Sequence, residues 1–299
     1  MKTNEYSSCT LCNRRCGVDR AIAHGACGMG DTPVIARAAL HMWEEPIISG
    51  TRGSGAVFFS GCSLGCVFCQ NERISHGGLG ESVSPARLSE IFLSLQAQGA
   101  HNINLVTPTH YVPSIREALF TAKSQGLSIP IVYNTSAYDS REALSLMDGI
   151  ADVYLPDFKY LRGDLAARYS FAGNYPEVAK DAISEMVRQR GNPLYNEEGI
   201  LTSGVLVRIL VLPGAVANAK LTLHYLWDSY GDRILYSIMR QYTPREDLPP
   251  PLNRRVTEAE YEDVLSYALR IGIRDAFTQE AQSATFAYTP PFEALEGVR

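Results

Sequence analysis

The stretch Gly61-Cys62-Ser63-Leu64-Gly65-Cys66-Val67-Phe68-Cys69-Gln70-Asn71 decides how the rest of the chain is read. Its three cysteines stand at C-x3-C-x2-C, directly behind the apolar run Ala56-Val57-Phe58-Phe59-Ser60, which reads as a strand. A tight loop at a strand end lets three thiolates converge on one point. Soft thiolates at such spacing select zinc or an iron–sulfur cluster. A cluster of four irons held by three cysteines keeps one iron without a protein ligand, much as catalytic metal sites keep a coordination place free. The plainer reading of the same residues is a structural zinc knuckle completed by His76 or a more distant side chain.

All seven cysteines of the 299-residue chain lie at or before position 69. Seven is odd, which argues against a complete disulfide framework. Clustered thiols in a reducing cell more often bind metal. Beyond the loop cysteines there remain Cys9, Cys12, Cys16 and Cys27, in a segment with several glycines and few large apolar residues. Such a segment cannot bury enough surface to fold alone, and metal binding can supply the missing folding free energy. Four cysteines suit a tetrahedral zinc site or an accessory iron–sulfur cluster, and the spacing leaves both open beside four free structural thiols. Residues 1–50 are accordingly expected to form a cysteine-rich segment, and residues 51–299 a core domain with a C-terminal helix.

Phe68 before the last cysteine completes a pattern. Cys62-x3-Cys66-x2-Cys69 resembles the signature loop of the radical S-adenosylmethionine (SAM) superfamily. The flanks His41-Met42-Trp43-Glu44-Glu45-Pro46, Gly53-Ser54-Gly55 and Cys69-Gln70-Asn71 resemble its pyruvate formate-lyase activating enzyme-like branch. The resemblance runs from the first cysteines to about Glu280. It implies a 4Fe–4S cluster on Cys62, Cys66 and Cys69, with the fourth iron chelating the amino and carboxylate groups of S-adenosylmethionine. One electron passed to the sulfonium then gives methionine and a 5′-deoxyadenosyl radical that abstracts hydrogen. The resemblance also implies a glycyl-radical enzyme as substrate and an electron donor such as flavodoxin or ferredoxin. A radical SAM enzyme acting on a small molecule, peptide or RNA is the alternative, as is a non-enzymatic iron–sulfur or zinc protein. In the related family proline commonly stands where Asn13 does here, a departure expected to loosen the turn without removing a ligand.

Composition sets wider bounds. The 45% apolar and 20% charged fractions are those of an ordinary globule. No run of about 18 apolar residues offers a membrane span. The opening residues lack the apolar core of a secretory signal, so a cytoplasmic location is expected. A net charge of −5 makes a broad nucleic-acid surface unexpected.

Past the cysteine loop, strands and helices alternate. Ser84-Pro85 opens a helix, and Leu88, Ile91, Phe92 and Leu95 recur at helical spacing. Further strands are expected at Asn102 to Val106, Ile131 to Asn134, Val153 to Pro156, Val205 to Leu212 and Arg233 to Gln241, and Thr257-x-x-Glu260 opens the last helix with a capping box. Six strands separated by helices imply an α/β fold with a parallel sheet and right-handed crossovers. Six units are too few for a closed eightfold barrel. An open six-stranded partial (β/α)6 TIM-type barrel fits the count and the family's usual fold; a doubly wound sheet competes. The loop Thr243 to Arg255, with Pro249-Pro250-Pro251, reads as a mobile segment or lid, or as a plain solvated connector.

Ligands of parallel α/β folds sit at the carboxyl ends of strands. The polar residues expected there are Thr107 to His110, Asn134-Thr135-Ser136, Asp157 and Lys159, with Arg208 inside the fifth strand and Ser237 and Gln241 along the sixth. By resemblance, Asp157 and Lys159 match an aspartate–lysine pair that binds the cofactor, and Arg208 a fifth-strand arginine. Asn134 and Ser136 are weaker candidates near the nucleoside. Thr107-Pro108-Thr109-His110 departs from the Gly-Gly-Glu segment often found after strand two, so backbone carbonyls are expected to meet the amino group there. His110 is the one histidine at an expected strand end. Trp43 is expected to pack over the cluster region, and Glu44-Glu45 to be a solvated connector rather than paired catalytic carboxylates.

Overall fold

Ten strands form one sheet in a computed structural model that describes residues 4–76, 78–245, 247–280, 290, 292 and 295–298. They are β1 (Val34–His41), β2 (Ser54–Phe59), β3 (Glu81–Ser82), β4 (Ile103–Val106), β5 (Ile131–Thr135), β6 (Val153–Pro156), β7 (Leu194–Tyr195), β8 (Leu201–Leu210), β9 (Leu235–Met239) and β10 (Ala276–Thr278). The helices are α1 (Pro46–Ser49), α2 (Glu72–Ser75), α3 (Pro85–Ala97), α4 (Val112–Ser124), α5 (Arg141–Met147), α6 (Gly163–Ser170), α7 (Tyr175–Arg190), α8 (Val216–Tyr230) and α9 (Glu258–Ile271).

The six expected strands are β2, β4, β5, β6, β8 and β9, and all pair in parallel. The spatial order is β10-β9-β8-β6-β5-β4-β2-β1-β3, with β7 a short hairpin partner of β8. From β2 to β10 each strand of this path lies beside its predecessor. A doubly wound sheet would reverse direction at a switch point, and this order never reverses. The winding is that of an open partial barrel.

Four strands escaped the sequence reading, the two-residue β7 among them. The antiparallel β1 and β3 extend the sheet beyond β2, and β10 adds a seventh parallel strand. β10 is three residues long, too short to show alternation.

Helix starts follow the expected chemistry. Ser84 and Ser140 each accept a backbone amide at 3.1 Å, from Arg87 and Ala143. The Thr257–Glu260 capping box is formed in full. Outward residues such as Leu105, Tyr133 and Val207 join the core beneath the helices, with Leu88, Ile115, Ile183 and Leu223. Inward residues Val132, Val153, Leu155 and Leu206 meet Ile48 of α1, which plugs the concave side near the strand starts. Asn102 fixes that plug, donating to the Ile48 carbonyl at 2.7 Å. The loop 243–255 is tethered: Leu252 is buried, and the Tyr242 hydroxyl donates to its carbonyl at 2.5 Å.

Candidate functional site

After β2 the chain turns through Gly61 (φ 86°) and Gly65 (φ 64°), left-handed conformations that glycine adopts without strain. A side chain at Gly61 would also meet the Cys27 carbonyl oxygen at 2.9 Å. Phe68 packs edge-on against Tyr169 and Tyr242, anchoring the loop from behind. The Val67 amide donates to the Tyr169 carbonyl at 3.0 Å, and the Gln70 side chain to the Gln241 carbonyl at 2.9 Å. These anchors account for the aromatic residue and the glutamine that flank Cys69.

The loop forms one wall of a cavity of about 340 Å³. Cys62, Cys66 and Cys69 all line it, together with polar residues from the ends of β5, β6, β8 and β9. The Leu64 amide donates to the Cys62 sulfur at 3.4 Å and the Ser170 hydroxyl to the Cys66 sulfur at 2.9 Å. Burial pushes the Cys66 thiol up to about 12, with the Lys159 ammonium pulling the other way.

Three soft sulfurs on one cavity wall, with donors already on two of them, suit a thiolate-held cluster. Tetrahedral zinc would draw its sulfurs to about 3.8 Å apart, from a Zn–S distance near 2.3 Å. Among the described residues no three His, Cys, Asp or Glu side chains gather as a single-ion centre. His76, the expected fourth ligand of a zinc knuckle, instead places Nδ1 3.2 Å from the Glu72 carbonyl.

Opposite the cysteines, Arg208 joins the remaining candidates into one network. Its Nε donates to Asp157 Oδ1 at 2.8 Å, and its Nη2 to Asn134 Oδ1 at 2.6 Å. Lys159 Nζ donates to Asp157 Oδ2 at 2.6 Å. Burial alone would raise the Asp157 carboxyl, but Arg208 and Lys159 together hold it below the ordinary carboxylate range. Burial likewise opposes the Lys159 charge, and Asp157 more than restores it. The interior charge on β8 thus has the partner it requires. Ser136 lines the cavity, and its carbonyl accepts from the Tyr175 hydroxyl at 3.0 Å. Trp43, exposed to solvent over much of its surface, lines the cavity as well.

Two expectations are corrected here. Glu44 and Glu45 are no solvated connector: both line the cavity, and Glu44 Oε2 accepts from Arg208 Nη1 at 3.2 Å while Oε1 accepts from Asn134 at 3.3 Å. The signal that could have found them is Arg208 itself, whose five donors exceed what Asp157 accepts. His110, despite its strand-end position, does not line the cavity. It is buried towards the helices with Nε2 2.7 Å from the Ser60 carbonyl, and burial lowers it to about 3.

Cys9, Cys12, Cys16 and Cys27 fold around the buried Arg20, whose guanidinium lies over the rings of Tyr6 and Tyr111 and donates to the Met29, Gly30 and His110 carbonyls. A methyl group on Gly25 would touch the sulfurs of Cys16 (3.4 Å) and Cys27 (3.5 Å), so these two flank one point. Asn13 does not loosen the turn. Its amide donates to the Tyr138 carbonyl at 3.2 Å and its side chain to the Asp139 carbonyl at 2.7 Å; the former bond is one that proline lacks the N–H to make. Asp139, which sequence reasoning missed, is buried and accepts from Tyr133, Thr109 and Thr135. Arg14 reaches from the cysteine segment to the loop of Cys62 and to the end of α6, donating to the carbonyls of Ser63 (2.8 Å), Leu64 (3.4 Å), Ser170 (3.1 Å) and Phe171 (2.6 Å).

Residues 56–216 match the sequence profile of the Radical SAM superfamily, more than half of the chain. The chain belongs to the radical SAM superfamily. Membership implies S-adenosylmethionine and a 4Fe–4S cluster as cofactors. An uncharacterized protein of Methanocaldococcus jannaschii is 29% identical over 276 residues, covering 89% of this chain and 75% of that one. A radical SAM methyltransferase from Sphaerobacter thermophilus superposes with a TM-score of 0.50 at 15% identity, over 76% of this chain and 66% of its own; that likeness is one of fold. A domain of pyruvate-formate lyase-activating enzyme from Bacteroides vulgatus aligns over 56% of this chain and 91% of its own, with a TM-score of 0.41 and 14% identity. No helix among the described residues is long and apolar enough to cross a membrane.

Proposed function

We propose that this protein is a radical SAM enzyme that cleaves S-adenosylmethionine reductively, with Cys62, Cys66 and Cys69 holding the cluster. A 4Fe–4S cluster, when bound, supplies the electron that cleaves the sulfonium and releases the 5′-deoxyadenosyl radical. The observation carrying this reading is that one cavity gathers the three cysteines and the Asp157–Lys159–Arg208 network at the carboxyl ends of parallel strands. Asp157 and Lys159 offer an anion and a cation to the polar groups of the cofactor, and Arg208 and Asn134 fix the Asp157 side of that wall. Ser136 adds a hydroxyl at the rim. The burial of Asn134 and the withdrawal of Glu44 and Arg208 from solvent strengthen these contacts.

The substrate we propose is the glycine backbone of a glycyl-radical enzyme, on the strength of the His41 to Pro46, Gly53 to Gly55 and Cys69 to Asn71 motifs. A flavodoxin or ferredoxin of the cytoplasm is the proposed donor. The N-terminal cysteines Cys9, Cys12, Cys16 and Cys27 would hold a second centre, zinc or iron–sulfur, with the buried Arg20 cation offsetting thiolate charge.

Anaerobic reconstitution of Cys62→Ala, Cys66→Ala and Cys69→Ala, followed by electron paramagnetic resonance of the reduced proteins, tests the assignment. Each variant should lose the catalytic cluster signal. A variant that keeps both signal and cofactor cleavage removes that cysteine from the site.

A further inference from the structure

Glu45 is the N-cap of α1, yet its side chain makes no capping bond. Its carbonyl does that work, accepting from the Ile48 and Ser49 amides at 2.8 and 3.0 Å. The carboxylate is left to face the cavity, where the residue is 9% exposed and Oε2 is buried with no hydrogen-bond partner. Burial raises the Glu45 carboxyl, outweighing both the attraction of Arg208 and a hydrogen bond from Ser237, so Oε2 stays a buried acceptor that something else completes.

The neighbouring charges complete it only in part. Among the described residues lining the cavity, three carboxylates, Glu44, Glu45 and Asp157, face two cations, Lys159 and Arg208. Lys159 is bound to Asp157, and Arg208 to Asp157, Glu44 and Asn134. His41 also lines the cavity, but burial lowers it to about 4, leaving it uncharged near neutrality. Arg208 is thus shared among three carboxylates, and Glu45 is the one of these that it attracts without hydrogen-bonding. Its place beside α1, which plugs the strand starts, sets it on the cavity floor, across from the cysteine loop at the strand ends.

We propose that Glu45 anchors the substrate, and that the substrate carries a cationic group, an ammonium or a guanidinium, into the cavity floor. The assignment rests on the radical SAM reading above and adds to it a chemical class of substrate. The anchor holds the cation away from the cysteine wall, so the hydrogen to be abstracted lies along the chain between that cation and the cofactor. Such a cation belongs to a lysine or arginine side chain of a polypeptide, in keeping with a glycyl-radical enzyme as substrate, or to a small amine, which would replace that substrate.

The test uses the full chain, anaerobically reconstituted with its cluster and saturated with S-adenosylmethionine, in isothermal titrations. The probes are methylguanidinium, n-butylammonium, uncharged 1-pentanol and acetyl-Gly-Arg-Gly-amide. The cations should bind at least tenfold more tightly than 1-pentanol. Glu45→Gln, which keeps the shape and removes the charge, should lose at least tenfold for the cations, with 1-pentanol unchanged and cofactor affinity within threefold. Preference for methylguanidinium over the tripeptide assigns a small molecule, and the reverse a polypeptide. Equal binding of cations and alcohol by the wild-type protein would overturn the proposal. So would Glu45→Gln binding cations as the parent does, or losing tenfold in cofactor affinity. If Glu45→Gln fails to fold by circular dichroism, the wild-type cation-to-alcohol ratio decides alone. Failure of the radical SAM reading is read separately, as absence of 5′-deoxyadenosine from wild-type protein whatever its cation selectivity.

Discussion

Arg208, inside β8, and Glu44, just ahead of α1, meet at 3.2 Å within the cavity although 164 positions separate them in sequence. Both side chains are largely withdrawn from solvent, at 12% and 9% exposure. The pair ties the barrel wall to the plug that closes its base.

Removing one partner of a buried pair leaves the other charge uncompensated, at a cost of roughly 3–5 kcal/mol. Arg208→Met should therefore destabilise the protein by about that amount in anaerobic urea denaturation, since Glu44 loses its cation and Asp157 keeps only Lys159. Arg208→Met combined with Glu44→Gln should recover part of the loss. A single-variant loss below about 1 kcal/mol would mean that water already solvates the pair.

Asp157→Ala and Lys159→Ala should weaken S-adenosylmethionine binding while iron content stays at the wild-type level. Loss of a charge-assisted hydrogen bond of about 1.5–3 kcal/mol corresponds to roughly 10- to 150-fold in affinity. Unchanged affinity in both variants, measured by equilibrium dialysis, would make the pair purely structural.

Much of this site was legible because its chemistry needs particular residues at fixed offsets. The cysteine spacing, the strand before it and the Asp157–Lys159 pair two apart on an extended chain were all readable. The six parallel strands were readable from apolar runs bounded by helical spacing. Glu44 and Glu45 were not, because their position depends on a four-residue helix folding back into the barrel, which no periodicity records. His110 failed for the opposite reason: a strand-end position fixes where the backbone is, not which layer the ring enters. β1 stayed hidden because Arg37 interrupts its apolar run, and β10 because three residues carry no pattern.

The N-terminal cysteines make a quantitative prediction about metal. Fully loaded protein purified without oxygen should contain about eight irons, or about four irons and one zinc. Arg14→Ala should leave the metal content intact but increase amide hydrogen exchange in residues 62–66, where Arg14 clamps the Ser63 and Leu64 carbonyls. Four irons and no other metal in active protein would defeat both versions of the second centre.

Stability should fall on mild acidification through the buried histidines. Burial lowers His110 to about 3 and His41 to about 4, against about 6.5 in an unfolded chain. Both folded values are depressed, so between about pH 6.5 and 4 the unfolded chain holds protons that the folded one does not. Stability is then fully present above about 6.5 and declines below it, by about 1.4 kcal/mol per pH unit for each histidine. In denaturation series between pH 6 and 4.5, His110→Gln should shallow that slope by one histidine's share. An unchanged slope would show that His110 takes its proton without unfolding.

The central claim is tested most directly by anaerobic formation of 5′-deoxyadenosine. Iron-loaded wild-type protein, given S-adenosylmethionine and a strong one-electron reductant, should release 5′-deoxyadenosine and methionine in equal amounts, while Cys62→Ala, Cys66→Ala and Cys69→Ala release neither. Full iron loading with no 5′-deoxyadenosine from the wild-type protein, or undiminished release from the three cysteine variants, would contradict the account.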